Sequence, residues 1–499
     1  MVEKLEERVK KLTGILDVAK ALVAERDVDR LLNLIVREAA RIVQADRCSL
    51  FLVDRERGEL WTKVAQGLQM KEIRIPLGRG IAGAVAADGA LINLADAYHD
   101  PRFIQEVDKQ TGYRTKSVLC VPMISLEGEC VGVVQALNKV GDGPFTPEDE
   151  ELLSALGGQA AAAVNNAMLH HEIEQLFEGF VRASVVAIES RDPSTAGHSG
   201  RVARLSVGLA DMLPHAGDAA GAWKGSKLSI QERQELRYAA LLHDFGKVGV
   251  RENVLVKANK LEPLELENLR GRFETIFVQE ELVSERQKVA ALLRCPPDEA
   301  RGRLREIEEQ LALRKKELGA MFEFVLSCNR PTILPEGSFG RLGDIAKATF
   351  TGPFGPEPRA FLNEHEVIKL SIRKGSLTDE ERREIESHVS HTFRFLSQIP
   401  WTRTLKRVPD IAYGHHEKLT GKGYPRSLRE SEIALPTRMM TISDIYDALT
   451  ASDRPYKRAV PKDKAYDILR DEAKRGEVDG DLLKVFIEAD VPGKAPREP

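Results

Sequence analysis

A regular apolar seam in the middle of the chain constrains the fold more than any other feature of the sequence. A helix over 148–190 is predicted after Thr146-Pro147, because Thr suits an N-cap, Pro suits the first turn and three acidic residues follow. Within it, apolar residues recur at alternating spacings of four and three: Leu169, Ile173, Leu176, Phe180, Ala183 and Ala187. This heptad pattern predicts a continuous helix connecting two domains, and it favours a parallel homodimer.

The residues before this helix alternate between helical and strand patterns. Asp27 is the predicted N-cap of an amphipathic helix. Strands are predicted in four segments bounded by turn residues: 49–53, 60–65, 117–123 and 130–138. Because 499 residues are too many for one core, we predict that residues 27–168 form a domain of their own. The pattern indicates an α+β fold, an antiparallel sheet with helices.

The residues after the connecting helix, 191–490, are predicted to be helical almost throughout. One segment, 262–368, interrupts this pattern with Arg/Glu-rich helices and a Gly/Pro-rich stretch at 353–358. We interpret it as a helical insertion, a hairpin followed by a loop. Its many charges indicate a solvated face rather than a binding surface.

The first residues of the chain, 1–26, form a separate predicted amphipathic helix. Its apolar residues follow a heptad spacing: Leu5, Val9, Leu12, Leu16, Ala19 and Val23. About three heptads are marginal on their own, so this seam is either a dimer contact or packs on its own domain.

Composition excludes several classes of protein. The segment that follows Met1 is too charged for a signal peptide, and the absence of any run of about 18 apolar residues predicts no membrane span. The five cysteines form no Cys-x-x-Cys pair, which is typical of reduced thiols in a cytoplasmic protein. Cys120 and Cys130 flank a predicted hairpin and are either facing residues or two small core residues. A net charge of −4 offers no basic surface for a nucleic acid polymer.

A scattered set of His and Asp residues carries the chemistry. It comprises seven residues on predicted helices or at their ends: His198, His243, Asp244, His388, His415, His416 and Asp444. Of these, His388 is predicted in the middle of a helix. A lone helical His is more often a surface or core residue than a ligand. Since ionisable groups rarely lie against apolar runs without a partner, seven together predict a common site.

Neutral imidazole and carboxylate groups are the ligands that first-row divalent ions take. The carboxylate of Asp244 offers two oxygens and can bridge two ions. Two neighbouring ions activate water for in-line attack on a phosphate ester. Lys247, one turn beyond His243, either reaches a phosphate oxygen or is an exposed loop lysine. We therefore predict a hydrolase with Asp244 and Lys247 as catalytic residues.

This part of the chain resembles the HD-GYP phosphodiesterases, over about 192–261 and 370–480. The motifs are His243-Asp244-Phe-Gly-Lys247, His415-His-Glu417, Gly423-Tyr-Pro425, Asp444-Ile-Tyr-Asp-Ala-Leu449 and Asp453-Arg-Pro-Tyr-Lys457. The resemblance implies an all-helical domain in which the seven residues above bind metal ions, commonly iron or manganese. It implies hydrolysis of cyclic di-GMP to pGpG or GMP. The implied substrate contacts are Lys247, Tyr424, Arg454 and Lys457.

Three positions depart from that family. Members that hold three metals carry a Glu where this chain has Ser194, so we predict two ions. Thr420 replaces an Asp in the turn before Gly423. The family's Lys-x-Gly-Lys-Leu-Thr segment is split between 257–261 and 373–378, as expected if 262–368 is inserted between its halves.

The first domain resembles GAF domains, which implies a regulatory small-molecule ligand. The motif consists of Asn138-Lys139, Phe145 and Asp149-Glu150. Lys139 and Asp149 form either a structural ion pair, which we favour, or a direct ligand contact. Three functions stay open: the phosphodiesterase, a receptor that binds the dinucleotide without hydrolysing it, and a hydrolase of another cyclic dinucleotide or phosphate ester.

Overall fold

The computed structural model falls into two compact units, Met1–Gly179 and Phe180–Pro499. The residues that it describes are 18–22, 24–25, 27–65, 73–141, 143–192, 195–335, 337–352, 355, 357–451 and 459–494. Most of the predicted helix over 1–26 lies outside them. Residues 18–22 are helical and bury Val18 and Leu22 in the core of their unit, whereas the seam residue Ala19 is only half-buried.

An antiparallel sheet of six strands organises the first unit. Its strands are β1 (Ala45–Asp54), β2 (Glu59–Ala65), β3 (Ile73–Pro76), β4 (Ile92–Leu94), β5 (Val118–Ile124) and β6 (Cys130–Lys139). They lie in the order β3-β2-β1-β6-β5-β4. The α+β prediction is confirmed, with two more strands than expected. The added β3 and β4 have only four and three residues, too few to show an alternating pattern.

Besides the helical residues 18–22, the described helices that accompany this sheet are α1 (Val28–Ile42), α2 (Gly80–Asp88), α3 (Gln105–Thr111) and α4 (Pro147–Arg191). Because side chains alternate along a strand, the sheet has two apolar faces. Leu50 of β1 packs in a core with Leu31 of α1 and Leu156 of α4, whereas its neighbour Phe51 packs with Ile81 of α2 on the other face. Burying each such side chain stabilises the fold by about 1.5–3 kcal/mol.

The Lys139–Asp149 pair of the GAF motif joins β6 to the start of α4. Lys139 Nζ lies 2.8 Å from Asp149 Oδ1 and also donates to the carbonyl of Val43. The second oxygen of Asp149 accepts from the backbone N–H and hydroxyl of Thr146. Both charged groups are thus engaged within the protein, as expected for a structural ion pair.

All five cysteines are free thiols. Register pairs Cys120 with Gln135 and Cys130 with Ile124, so the two cysteines are not opposite each other. Cys120 is buried in the core beside α2, and Cys130 packs against that core.

The long helix α4 contributes to both units. In the first unit it buries Leu153, Leu156 and Ala160, but beyond them Leu169 is 51% exposed and Leu176 is 75% exposed. None of the described helices is long and apolar enough to cross a bilayer.

The second unit is built almost entirely from helices. After α4 they are α5 (His198–Met212), α6 (Ile230–Leu242), α7 (Glu252–Leu255), α8 (Pro263–Arg294), α9 (Pro297–Asn329), α10 (Ser338–Lys347), α11 (Glu364–Leu370), α12 (Asp379–Glu386), α13 (His388–Leu396), α14 (Val408–Tyr413), α15 (Leu435–Thr450), α16 (Lys462–Lys474), α17 (Gly480–Glu488) and α18 (Val491–Lys494). A short ribbon of β7 (Thr349–Thr351) and β8 (Pro358–Ala360) adds two strands that the sequence did not indicate, around the Gly/Pro-rich stretch.

Within the segment 262–368, α8 and α9 form a helical hairpin, and its apolar core also contains Leu342 of α10 and Phe361. Helices α8 and α9 turn at Cys295-Pro296. Arg314 of α9 pairs with Glu280 of α8, and Lys288 of α8 pairs with Glu308 of α9. Outside the hairpin the split motif is rejoined in space. Ser376 donates to the carbonyl of Lys257, whose ammonium lies 2.6 Å from Glu381 Oε1.

Candidate metal centre

His243 and Asp244 lie at a junction between two kinds of helix. A capping box of Ser229 and Glu232 starts α6, which ends at Leu242. His243 is the C-cap, and Asp244 begins a 3₁₀ turn over Phe245–Gly249. The change of helix type turns the two neighbouring side chains toward a common centre. An N-cap such as Ser229 stabilises its helix by about 1 kcal/mol.

Gly246 allows this turn to pack closely on α13. A Cβ added at Gly246 would lie 1.8 Å from the carbonyl oxygen of His388 and 2.5 Å from the amide nitrogen of Thr392. The Thr392 hydroxyl accepts from the N–H of Gly246 and donates to the carbonyl of His243. The backbone around His243 and the helix of His388 are therefore held together at this glycine.

The other predicted ligands also lie at helix ends, with one exception. His198 begins α5, and His415 and His416 follow the C-cap Gly414 of α14. Asp444 lies inside α15 and is buried there.

His388 is the first residue of α13 and not the middle of a helix, so that prediction is wrong. The break falls at Ser387, whose hydroxyl donates to the carbonyl of Glu384 and competes with the regular helical bonding.

Three of the histidines share one anchoring device. The Nδ1 atoms of His243, His388 and His415 lie 2.8, 2.5 and 2.7 Å from the carbonyl oxygens three residues earlier. A carbonyl only accepts, so Nδ1 carries the hydrogen and Nε2 keeps a free lone pair. Within the part of the chain that the structure describes, the Nε2 atoms of His388 and His415 are buried without a hydrogen-bond partner. Buried acceptors left open in this way are suited to a metal ion.

The two oxygens of Asp244 face two different groups of imidazoles. Oδ1 lies 3.3 Å from His388 Nε2, whereas Oδ2 lies 3.4 Å from His243 Nε2 and 3.7 Å from His198 Nε2. Asp444 spans a similar gap, with Oδ1 3.2 Å from His198 Nε2 and Oδ2 4.0 Å from His416 Nδ1.

The residues form three overlapping groups, and within each group one donor atom per residue lies within 4.8 Å of the others. The groups are His198, His243 and Asp444; His243, Asp244 and His415; and His388, His415 and His416. The structure thus brings all seven predicted ligands together.

Burial and charge set the protonation of this cluster. Burial lowers the pKa of His416 to about 4, and burial with neighbouring imidazoles lowers the pKa of His415 well below its usual value. Burial opposes ionisation of Asp244, but the Lys247 ammonium and nearby histidines hold the pKa of that carboxyl well below its usual range. Uncharged imidazoles beside ionised carboxylates form a donor set that fits divalent cations.

His198 differs from the other histidines. Burial alone would lower its pKa, but hydrogen bonds with Asp444 and Asp447 and the surrounding negative charge raise it to about 9. Without a metal ion, this raised pKa favours the doubly protonated, charged ring of His198 at neutral pH. A metal ion that binds Nε2 has to displace the proton on that atom.

Asp447 is a residue of the centre that the sequence reasoning missed. Its Oδ2 lies 2.7 Å from His198 Nδ1, and Arg201 donates to both of its oxygens. This arrangement orients the His198 ring and fixes Nδ1 as the hydrogen-bearing atom. The available signal was its spacing of three residues from Asp444, which puts both carboxylates on one face of α15.

Replacing Asp447 with Asn should weaken metal binding without abolishing it. The amide of Asn keeps the shape of the side chain but removes the negative charge that Asp447 places beside His198 Nδ1. Losing such a hydrogen-bond partner of a metal ligand costs about 10–100-fold in metal affinity. Competition with a chelator measures the affinity. Asp211→Asn, an exposed carboxylate of α5 paired with Arg233, is the matched control and should keep the wild-type affinity. Equal affinities in both variants would contradict the role given to Asp447.

Tyr424 lies at the edge of the cluster, in a turn that contains a cis Tyr424-Pro425 peptide bond. Its ring centroid is 4.8 Å from that of His416, and burial raises the pKa of its phenol, which stays protonated. The buried carboxylate of Glu417 holds the turn by accepting from the N–H groups of Arg426 and Leu428.

Lys247 lies inside the centre, with Nζ 2.8 Å from Asp244 Oδ2. The expectation of an exposed loop lysine does not fit this position. Arg454, Lys457 and Ser194, by contrast, lie outside the described residues.

Comparison with known families agrees with this division of the chain. Residues 27–164 match the GAF domain family. Residues 195–313 and 365–482 both match HD domain families, and together they contain all seven clustered residues.

Two curated proteins share part of the chain. The dual 3',5'-cyclic-AMP and -GMP phosphodiesterase 11A of Takifugu rubripes is 38% identical over 166 residues, 31% of this chain and 18% of that protein. The probable 3',5'-cyclic phosphodiesterase pde-5 of Caenorhabditis elegans is 33% identical over 186 residues, 35% of this chain and 25% of that protein. The chain therefore spans a quarter or less of the length of these relatives.

Solved structures match over a similar share. The GAF domain of a phosphoenolpyruvate-protein phosphotransferase from Coxiella burnetii is 26% identical, covering 32% of this chain and 96% of that one, with a TM-score of 0.30. A GAF domain/HD domain protein from Geobacter sulfurreducens is 18% identical, covering 30% of this chain and 98% of that one, with a TM-score of 0.25.

The chain is a multidomain protein in which an N-terminal GAF domain is followed by a largely helical HD domain region.

Proposed function

We propose that the second unit is a metal-dependent phosphodiesterase that hydrolyses cyclic di-GMP to pGpG or GMP and is regulated by the GAF domain. This proposal depends mainly on the convergence of seven buried or half-buried side chains. They form three overlapping groups, and the donor atoms of each group lie within 4.8 Å of one another. The open Nε2 atoms of His388 and His415 favour a bound metal over a closed hydrogen-bond network.

Two divalent ions, iron or manganese, fit this donor set. His198, His243 and Asp444 would hold one ion, and His388, His415 and His416 the other. Asp244 would bridge them, because its two oxygens face the two histidine groups. When bound, such ions polarise a phosphate ester and lower the pKa of water.

The remaining residues would bind and orient the substrate. The Lys247 ammonium has three N–H groups, and a phosphate oxygen can take one that the neighbouring carboxylates leave open. Tyr424 offers a protonated phenol beside His416. Arg454 and Lys457 are assigned to the guanine edges or phosphates by the HD-GYP resemblance alone.

The substrate has one competing candidate. The two curated relatives are named as 3',5'-cyclic nucleotide phosphodiesterases, which favours a cyclic mononucleotide. Their matched stretches of 166 and 186 residues are shorter than the second unit, however, and the Gly423-Tyr-Pro425 turn beside His416 supports the dinucleotide.

Turnover by protein purified without air and loaded with Fe(II) or Mn(II) tests the proposal. Cyclic di-GMP, a mixed guanine–adenine cyclic dinucleotide, cyclic AMP and cyclic GMP are compared side by side, with products separated by chromatography. We expect pGpG or GMP to form fastest from cyclic di-GMP. Faster turnover of a mononucleotide would select the competing substrate, and tight dinucleotide binding without product would indicate a receptor.

The proposal also covers the cellular location and the oligomeric state of the protein. We place it in the cytoplasm, where free thiols persist. Leu169, Ile173 and Leu176 of α4 are exposed in a heptad pattern, which supports a parallel homodimer along this helix.

A further inference from the structure

The last turns of the connecting helix belong to the second unit, and one face of them is buried there. Val181, Ser184 and Ile188 are buried, whereas Phe180 and Ala187 on the other face are exposed. Asp192, the residue after the helix, continues the buried face and is 4% exposed. Its amide still donates to the carbonyl of Ile188, so it moves with the helix.

The side chain of Asp192 leads from this helix to the centre. Its Oδ2 lies 3.6 Å from Lys247 Nζ, and the same ammonium lies 2.8 Å from Asp244 Oδ2. All three charged groups are largely withdrawn from solvent, where the attraction between opposite charges is screened less than at the surface.

The backbone of Asp192 leads to the centre by a second route. Its carbonyl accepts from the N–H and from the hydroxyl of Thr195, at 2.9 and 2.8 Å. Thr195 is buried, and the chain then reaches His198 through Gly197. The end of the connecting helix is thus joined to two of the clustered residues, His198 through the chain and Asp244 through Lys247.

We propose that Asp192 is a positioning residue that fixes the Lys247 ammonium against Asp244 and so ties the end of the connecting helix to the metal centre. The proposal rests on the proposed function for its kinetic consequences. Lysine is a flexible stem with a point charge, so an ammonium held by one carboxylate instead of two samples more orientations. A shift of the helix end would move Asp192 and with it the ammonium that faces the substrate.

Asp192→Asn tests this contact in the full chain. We expect kcat to fall by about tenfold while KM stays within about twofold and the metal content is unchanged. Asp192→Glu keeps the charge and should recover most of the lost kcat. Asp211→Asn removes a carboxylate of α5 that pairs with Arg233 on the surface, and it should match the wild-type enzyme.

Hydrogen exchange gives a readout that needs no turnover. Peptides covering 243–250 include the amides of Lys247 and Val250, which bond within the 3₁₀ turn. In Asp192→Asn these amides should exchange several times faster, with Asp211→Asn unchanged. The proposal would be overturned if Asp192→Asn left both the exchange and kcat unchanged. It would also be overturned if the loss of kcat came with a loss of metal, or if Asp192→Glu did not restore kcat. A wild-type chain without phosphodiesterase activity would reject the proposed function, and exchange alone would then decide the role of Asp192.

Discussion

Replacing Asp244 with Ala should remove bound metal and lower turnover by about a thousandfold or more, equivalent to about 4 kcal/mol of transition-state stabilisation. Asp244 faces both groups of histidines at shorter range than Asp444 does, with Oδ1 3.3 Å from His388 Nε2 and Oδ2 3.4 Å from His243 Nε2. Its loss also leaves the half-buried Lys247 without its nearest counter-charge. A site that has lost both a shared ligand and an anion holds two dications poorly.

Metal analysis and turnover are measured on the same preparation of each variant. Asp211→Ala is the control, because Asp211 is an exposed carboxylate of the same unit and pairs only at the surface with Arg233 among the contacts described. It should keep its metal and its rate. Near-normal rates in Asp244→Ala would mean that the bridging position is assigned to the wrong residue.

Replacing Gly246 with Ala should destabilise the second unit by about 3–5 kcal/mol. The added Cβ would lie 1.8 Å from the carbonyl oxygen of His388, and its other two near neighbours, the amide nitrogen of Thr392 and the carbonyl carbon of His388, are also backbone. No flexible side chain can move aside, so the 3₁₀ turn and α13 must separate. Since these elements carry Asp244 and His388, metal affinity should fall together with stability.

Calorimetry measures this effect, because a chain of two units need not unfold in a single transition. The transition of the second unit should fall by at least about 5 °C in Gly246→Ala. Gly271→Ala in α8 is the matched control, since a Cβ there meets nothing within 4 Å and Ala favours a helix by about 0.5–1 kcal/mol. An unchanged transition in Gly246→Ala would show that the packing at this glycine is looser than described.

The sequence predicts those features that depend on local patterns. The alternating strands give the α+β class of the first domain, and β1, β2, β5 and β6 correspond to the four predicted strands. Paired ionisable residues at the ends of apolar helices predict a site, as at His243-Asp244 and His415-His416. These patterns are local, so the residues themselves report them.

Other features depend on contacts that are remote in sequence. Asp447 matters because His198, 249 residues away, lies 2.7 Å from it, and Asp192 matters because Lys247 folds back onto the end of α4. The break before His388 falls at Ser387, whose hydroxyl bonds to the carbonyl of Glu384, and helix propensity alone does not predict such a bond. The ribbon of β7 and β8 has three residues in each strand, too short for any periodic signal.

The metal content of protein purified without air tests the central claim most directly, since every role given to the cluster depends on bound ions. Elemental analysis should find close to two metal ions per chain, mostly iron or manganese. Asp244→Ala, purified in parallel, should contain far less. A chain that holds fewer than one ion under these conditions, and gains none when Fe(II) or Mn(II) is supplied, would contradict the account.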